Sequence, residues 1–197
     1  MAVRRRRGAS ALRKLVRERA RFLRSFLSGP RQVGAVLPTS RATVRAMLDL
    51  APVGAASCVV ELGAGTGPLT RDLVGRLGPQ ATALAFEIDP ALAEGLAAEV
   101  RDPRLRVVAD SAERMGAHLN GQRPEVIFSA LPFTSLPKPV RDGVLAEVRR
   151  LLAPGGVFVV LQYSPFMERD LRRAFGSVQR RISLPNVPPA FLYACRP

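Results

Sequence analysis

Seven consecutive residues, Glu61-Leu62-Gly63-Ala64-Gly65-Thr66-Gly67, join one carboxylate to three glycines at alternate positions. Glycines spaced this way let a backbone approach a ligand closely and take up positive φ. An acid directly before them suits a ligand with an amino-acid end, whose ammonium it can meet. Two further acids follow at matching places. Glu87, in Phe86-Glu87-Ile88-Asp89, lies about twenty residues beyond the loop, where a carboxylate accepts hydrogen bonds from both hydroxyls of a ribose. Asp89 is placed to cap the helix that begins at Pro90. Asp110 comes at the end of a third apolar run, where an adenine amino group would lie, or where a helix needs a cap. Acids at three successive strand ends describe one ligand-binding rim.

A second candidate region is Ser129-Ala130-Leu131-Pro132-Phe133. Enzymes that methylate amino groups of nucleobases carry Asn or Asp, any residue, Pro and an aromatic here, because a base amine held for attack wants a side-chain acceptor as well as a backbone carbonyl. Alanine at 130 removes the side-chain acceptor, and a site lacking its polar partner loses selectivity for that group.

These residues need elements to hold them. The apolar run Cys58–Leu62 predicts a first strand, followed by a helix from Gly67 to about Leu77. A strand over Thr82–Phe86 precedes a helix from Pro90 to about Val100. A third strand, Leu105–Ala109, leads into a short helix from about Ser111. A fourth strand, Glu125–Ala130, precedes a helix over Pro139–Leu152. A fifth strand, Val157–Gln162, precedes a helix over Pro165–Phe175. Two final strands, 177–184 and 190–196, are too closely linked to pair parallel and are expected antiparallel. This alternation predicts an α/β fold with a mostly parallel sheet and helices on both faces. Ahead of it, Thr39 or Ser40 is expected to cap a helix over 41–50.

Charge and composition narrow the function. The 197 residues carry a net charge of +14, and residues 1–31 hold eleven basic groups against one acid, Glu18, for +10 of it. Residues 10–28 read as a helix with Arg13, Lys14, Arg17, Arg21 and Arg24 on one side. Phe22 and Phe26, with several leucines, occupy the other. A basic amphipathic helix of this kind fits the interface of an anionic membrane, and charge alone also admits nucleic acid. The expected organisation is therefore a membrane-binding helix, residues 1–30, ahead of one domain, 31–197. No apolar run reaches the length of a membrane span, and no secretory signal is present, so a cytoplasmic protein is expected. One histidine, His118, and two cysteines without a CxxC spacing give no expected metal site. Cys58 and Cys195 lie in apolar runs and read as buried small hydrophobes.

Taken together, the glycine loop and the strand-end acids resemble the class I S-adenosylmethionine-dependent methyltransferases over residues 34–197. A closer resemblance runs through Phe22-Leu23-Arg24-Ser25-Phe26, Gly34-Ala35-Val36-Leu37-Pro38-Thr39-Ser40, Ser129-Ala130-Leu131-Pro132 and Asn186-Val187-Pro188-Pro189-Ala190. This set is similar to the bacterial phospholipid N-methyltransferases, which convert phosphatidylethanolamine stepwise to phosphatidylcholine. That family usually has glycine where this chain has Ala130. It tends to have Phe-Thr-Tyr-Gly where this chain has Leu161-Gln162-Tyr163-Ser164.

The resemblance implies a seven-stranded Rossmann-like sheet and S-adenosylmethionine as cofactor, released as S-adenosylhomocysteine. It implies cofactor contacts at Glu61, Gly63, Ala64, Gly65, Gly67, Glu87, Ile88, Asp110, Ser111 and Ser129. The acceptor side would use Pro38, Thr39, Ser40, Pro132, Phe133, Lys138, Arg180 and Asn186. The Leu131 carbonyl region and the Tyr163 hydroxyl would orient the amine. The partners implied are an anionic membrane surface and a phospholipid, at the inner face of the cell membrane. Methylation of ribosomal-RNA adenine, or of another amine lipid such as an ornithine lipid, remains an alternative.

Overall fold

The computed structural model describes residues 39–186 and 188–197. The expected helix over 10–28, with Arg13, Lys14, Arg17, Arg21, Phe22, Arg24 and Phe26, and the expected acceptor residue Pro38 lie outside the described residues.

Seven strands form one sheet in the order β3-β2-β1-β4-β5-β7-β6. They are β1 (Cys58–Leu62), β2 (Thr82–Phe86), β3 (Leu105–Val108), β4 (Val126–Ser129), β5 (Val157–Gln162), β6 (Ser177–Ser183) and β7 (Ala190–Arg196). The first five pair parallel. Strand β7 is antiparallel to both neighbours and inserts between β5 and β6. The short link between the last two strands is what forces that reversal, since a parallel return needs a crossover of a dozen residues.

β1 and β5 are buried along their whole length, as strands covered on both faces must be. One face of the sheet carries α1 (Arg41–Leu48), α2 (Pro68–Val74) and α3 (Pro90–Glu99). Val44, Met47 and Leu48 of α1 and Leu69 and Leu73 of α2 pack with Val59, Ala83 and Val126 from the strands. Two residues along β2, on the same face, Ala85 packs with Leu96 of α3 and Ala64 of the loop. On the other face, Phe133 meets Phe158 edge-on at 6.5 Å, and Phe158 lies 5.6 Å from Phe175. There α4 (Lys138–Leu151) and α5 (Glu168–Ala174) cover the sheet. Both cysteines are buried and unpaired, as expected of small hydrophobes, and burial pushes the Cys195 thiol up to about 12.

Local geometry departs from the sequence reading at three places. The segment after Ser111 is a 3-10 helix, Ala112–His118, and not an α-helix. The expected helix over Pro165–Phe175 begins as a 3-10 turn, Pro165–Met167, before α5. Helix α2 stops at Val74, where Gly75 lowers helix propensity. Among the described residues, no helix is long and apolar enough to cross a membrane.

Candidate active site

The register of the sheet sets the site. Leu62, Phe86, Val108 and Ser129 stand level across β1 to β4, so the chain leaves all four strands at one rim. The order reverses between β1 and β4, and the crevice at such a switch point is where open α/β sheets bind ligands.

The glycine loop fills one wall. Gly63, Gly65 and Gly67 have φ of +80°, +56° and +80°, a conformation side-chain-bearing residues rarely adopt. A Cβ on Gly63 would stand 2.8 Å from Leu131 Cδ2, so the glycine loop and the segment after β4 touch across the crevice. A Cβ on Gly67 would stand 2.3 Å from Leu96 Cδ1 of α3. Gly65 meets nothing within 4 Å, so its surface stays open to the crevice.

Glu87 is buried and ties the rim together. Its Oε2 accepts from the Gly65 amide and its Oε1 from the Asp89 amide, both at 2.8 Å. Asp89 caps α3 through the Ala91 amide at 2.8 Å. Each Glu87 oxygen keeps a second lone pair, enough for the two hydroxyls of a ribose. Glu61 is also fully buried, and its Oε2 accepts from Thr70 Oγ1 at 2.7 Å. Burial pushes its pKa up to about 7, against the Thr70 bond, with the neighbouring Glu87 charge adding to the rise. Asp110 Oδ1 accepts from the Ser111 amide at 2.8 Å. Its Oδ2 lies 2.8 Å from His118 Nε2 and 3.5 Å from Arg114 Nε. Eight residues separate Asp110 from His118, and only the 3-10 turn brings them together, so no sequence pattern announces the pair.

The opposite wall shows what the residues expected at the acceptor already touch. Leu131 does not offer a free carbonyl: its oxygen already accepts from the Phe133 amide at 2.8 Å and from Gln162 Nε2 at 2.7 Å, which fills both lone pairs. Phe133 is wholly buried against Phe158, so it supports the floor of the site instead of lining it. Ser129 is buried with its hydroxyl accepting from the Leu131 amide at 3.3 Å. Ala130 is exposed, and its amide continues the ladder to the Leu62 carbonyl at 3.1 Å.

Gln162 is the residue sequence reasoning passed over. It ends β5, is 3% exposed, and its Nε2 also donates to the Leu161 carbonyl at 2.6 Å. Both amide hydrogens are thus used on carbonyls, which fixes Oε1 as the remaining acceptor.

A polar seam closes the outer side. The Tyr163 hydroxyl lies 3.2 Å from Thr39 Oγ1. Ser40 caps α1 through the Thr43 amide, and its own amide donates to Asn186 Oδ1 at 2.9 Å. Asn186 is buried and donates to the Pro188 carbonyl at 3.1 Å, so it pins the β6–β7 connection to the start of α1. Lys138 pairs with Asp142, and Arg180 pairs with Glu168 at 2.7 Å, so both cations expected at a phosphate already hold acidic partners.

The residues present fit S-adenosylmethionine. The crevice offers open backbone at Gly65, a buried diacceptor at Glu87, and an acid at Asp110 beyond it. Residues 59–156 match the methyltransferase domain family. Over 180 residues the chain is 31% identical to the ornithine lipid N-methyltransferase of Singulisphaera acidiphila, a match covering 89% of this chain and 94% of that one. Over 148 residues it is 35% identical to ribosomal RNA small subunit methyltransferase A of Nocardia farcinica, covering 72% of this chain but only 49% of that one. The N-methyltransferase NodS of Bradyrhizobium japonicum, solved with S-adenosylhomocysteine, superposes with a TM-score of 0.69 at 16% identity, over 90% of this chain and 97% of that one.

Fold, site and similarity together define a class I S-adenosylmethionine-dependent methyltransferase. Within that class the chain belongs to the family of N-methyltransferases that includes the Singulisphaera enzyme.

Proposed function

We propose that this chain methylates the amine of phosphatidylethanolamine, and of its mono- and dimethyl derivatives, at the inner face of the cell membrane. The observation that carries the reading is the exposed Ala130, where enzymes acting on bases place an amide. The basic arm, residues 1–30, would hold the chain on anionic lipid. Ornithine lipid is the second amine acceptor, favoured by the 31% identity to an enzyme of that name.

Bound S-adenosylmethionine supplies an electrophilic methyl on a sulfonium. That methyl would pass to the neutral amine, the cofactor would leave as S-adenosylhomocysteine, and the proton of the resulting ammonium would go to water. The chain's part is positioning, which contributes several kcal/mol, on the order of effective-molarity effects. Glu87 holds the ribose and, through the Gly65 amide, the loop. Asp110, with Ser111 and Ile88 beside the two acids, borders the adenine. Glu61 acts at one remove, tying β1 to α2 beneath the loop. Gln162 Oε1 stands in for the amide missing at 130, and together with the Tyr163 hydroxyl it orients the amine. Pro132 and the Thr39–Ser40 turn border the headgroup. A desolvated pocket favours the neutral, attacking amine over its ammonium.

The test is direct. Purified chain with S-adenosylmethionine is offered phosphatidylethanolamine, ornithine lipid or stripped ribosomal RNA, with the lipids in mixed micelles. Lipid mass spectrometry should show mono-, di- and trimethylated phosphatidylethanolamine. Methylated ornithine lipid alone would move the assignment to the second acceptor. Methylated RNA without methylated lipid would overturn the lipid reading.

A further inference from the structure

Among the described residues, four large apolar side chains stay exposed: Leu92, Phe166, Ile182 and Leu184. Single exposed apolar residues need no explanation, but three of these lie on two segments that an ion pair joins. Phe166 sits in the 3-10 turn that follows β5, two residues before Glu168. Ile182 sits two residues after Arg180 on β6, with Leu184 just beyond the strand end. Arg180 Nη1 donates to Glu168 Oε2 at 2.7 Å, so this ion pair brings the two segments together. The exposures are 80% for Phe166, 52% for Ile182 and 73% for Leu184, far beyond those of partly covered core residues.

The patch adjoins the acceptor wall. Gln162 pairs with Phe191 on β7, and Phe191 pairs with Ile182 on β6. Gln162 and Ile182 therefore share a face and a level of the sheet, two strand spacings or roughly 10 Å apart. The surrounding chain is basic: residues 165–185 hold Arg169, Arg172, Arg173, Arg180 and Arg181 against Glu168 and Asp170.

We propose that Phe166, Ile182 and Leu184 form a membrane-docking surface on the catalytic domain itself, separate from the basic arm, which inserts into an anionic bilayer. Apolar side chains enter the acyl boundary while the exposed Arg169 and Arg181, outside the ion pairs to Glu168 and Asp170, meet lipid phosphates. Ile and Leu have no π face for stacking on bases, which favours a bilayer over RNA. The proposal rests on the lipid reading above. It adds that the rim faces the bilayer, so a headgroup can reach Gln162 and Tyr163 while its chains stay in the membrane.

The chain has no tryptophan, so single introduced tryptophans report without background. Full-length Phe166→Trp and Leu184→Trp are compared with Gln122→Trp, a control contacting Thr82 at the opposite end of β2. Alone, the two rim variants should emit as solvent-exposed indoles. With vesicles of phosphatidylcholine and phosphatidylglycerol their emission should shift to the blue and be quenched by brominated acyl chains, while Gln122→Trp stays unchanged. In flotation, Phe166→Ser/Leu184→Ser should weaken vesicle binding at least about tenfold, as expected for losing two inserted apolar side chains.

Several results would overturn the docking surface. One is vesicle binding without a blue shift at the rim. Another is failure of the full chain to bind anionic vesicles at all. A third is rim emission already blue without lipid, which would mean that another part of the chain or a second copy covers it. A response to single-stranded RNA in place of vesicles would also overturn it. Methylation in mixed micelles is read separately, so failure of the lipid chemistry is distinguishable from failure of docking.

Discussion

At the residue scale, Glu61 and Gln162 carry the most specific consequences. The Glu61 carboxyl is buried, bonded to Thr70, and raised from 4.5 to about 7. A carboxyl that binds its proton more tightly when folded adds stability that is complete below about 4.5 and lost as pH rises through about 7. The slope from this group is at most about 1.4 kcal/mol per pH unit. Glu61→Gln keeps an acceptor for Thr70 and cannot ionise. It should therefore match the parent near pH 5 and exceed it in denaturant unfolding at pH 8. Gln162→Leu removes the clamp on the Leu131 carbonyl and the Oε1 acceptor together. Its kcat should fall at least about tenfold, as for loss of a positioning contact, with the Kd for S-adenosylmethionine within about twofold of the parent. Equal losses in both would reassign Gln162 to the fold.

At the element scale, the glycine loop separates strain from ligand access. Gly65 and Gly67 both have positive φ, so alanine costs about 1–2 kcal/mol at either position. Gly67→Ala adds a clash with Leu96 and should lower unfolding stability further, by about 1–3 kcal/mol. Gly65→Ala meets no protein atom and should lose less stability, yet its methyl enters the space kept clear at the crevice. Thermal unfolding of the cofactor-free protein should rank Gly67→Ala as the less stable. Calorimetric titration should show that Gly65→Ala loses about tenfold or more in S-adenosylmethionine affinity.

At the scale of the whole molecule, charge and site are divided along the chain. Most of the +14 lies in the first 31 residues, whereas the cofactor crevice is built from a buried carboxylate and backbone amides. Interactions among exposed charges are screened over about 10 Å at 0.1 M salt. Raising salt from about 0.05 to about 0.5 M should release the chain from anionic vesicles while changing cofactor affinity little. Flotation and calorimetry on the same samples check both halves of that statement.

The sequence by itself determined the elements and the class of cofactor. Apolar runs placed all seven strands to within about a residue, most sharply β1, β4 and β5, which are buried on both faces and near-continuous in apolar residues. The positive φ of the loop glycines and the strand-end position of Glu87 were legible because both are set by the local chain. Only the tertiary structure decided the partners of the residues expected at the acceptor. Leu131 looked free until β5 brought Gln162 to its carbonyl, 31 residues along the chain. Nothing in the sequence announces that Asn186 accepts from the amide of Ser40, 146 residues away. Arg180 looked available until α5 set Glu168 beside it. Hydrogen-bond partners distant in sequence leave no local pattern, so they become visible only when the packed sheet brings them together.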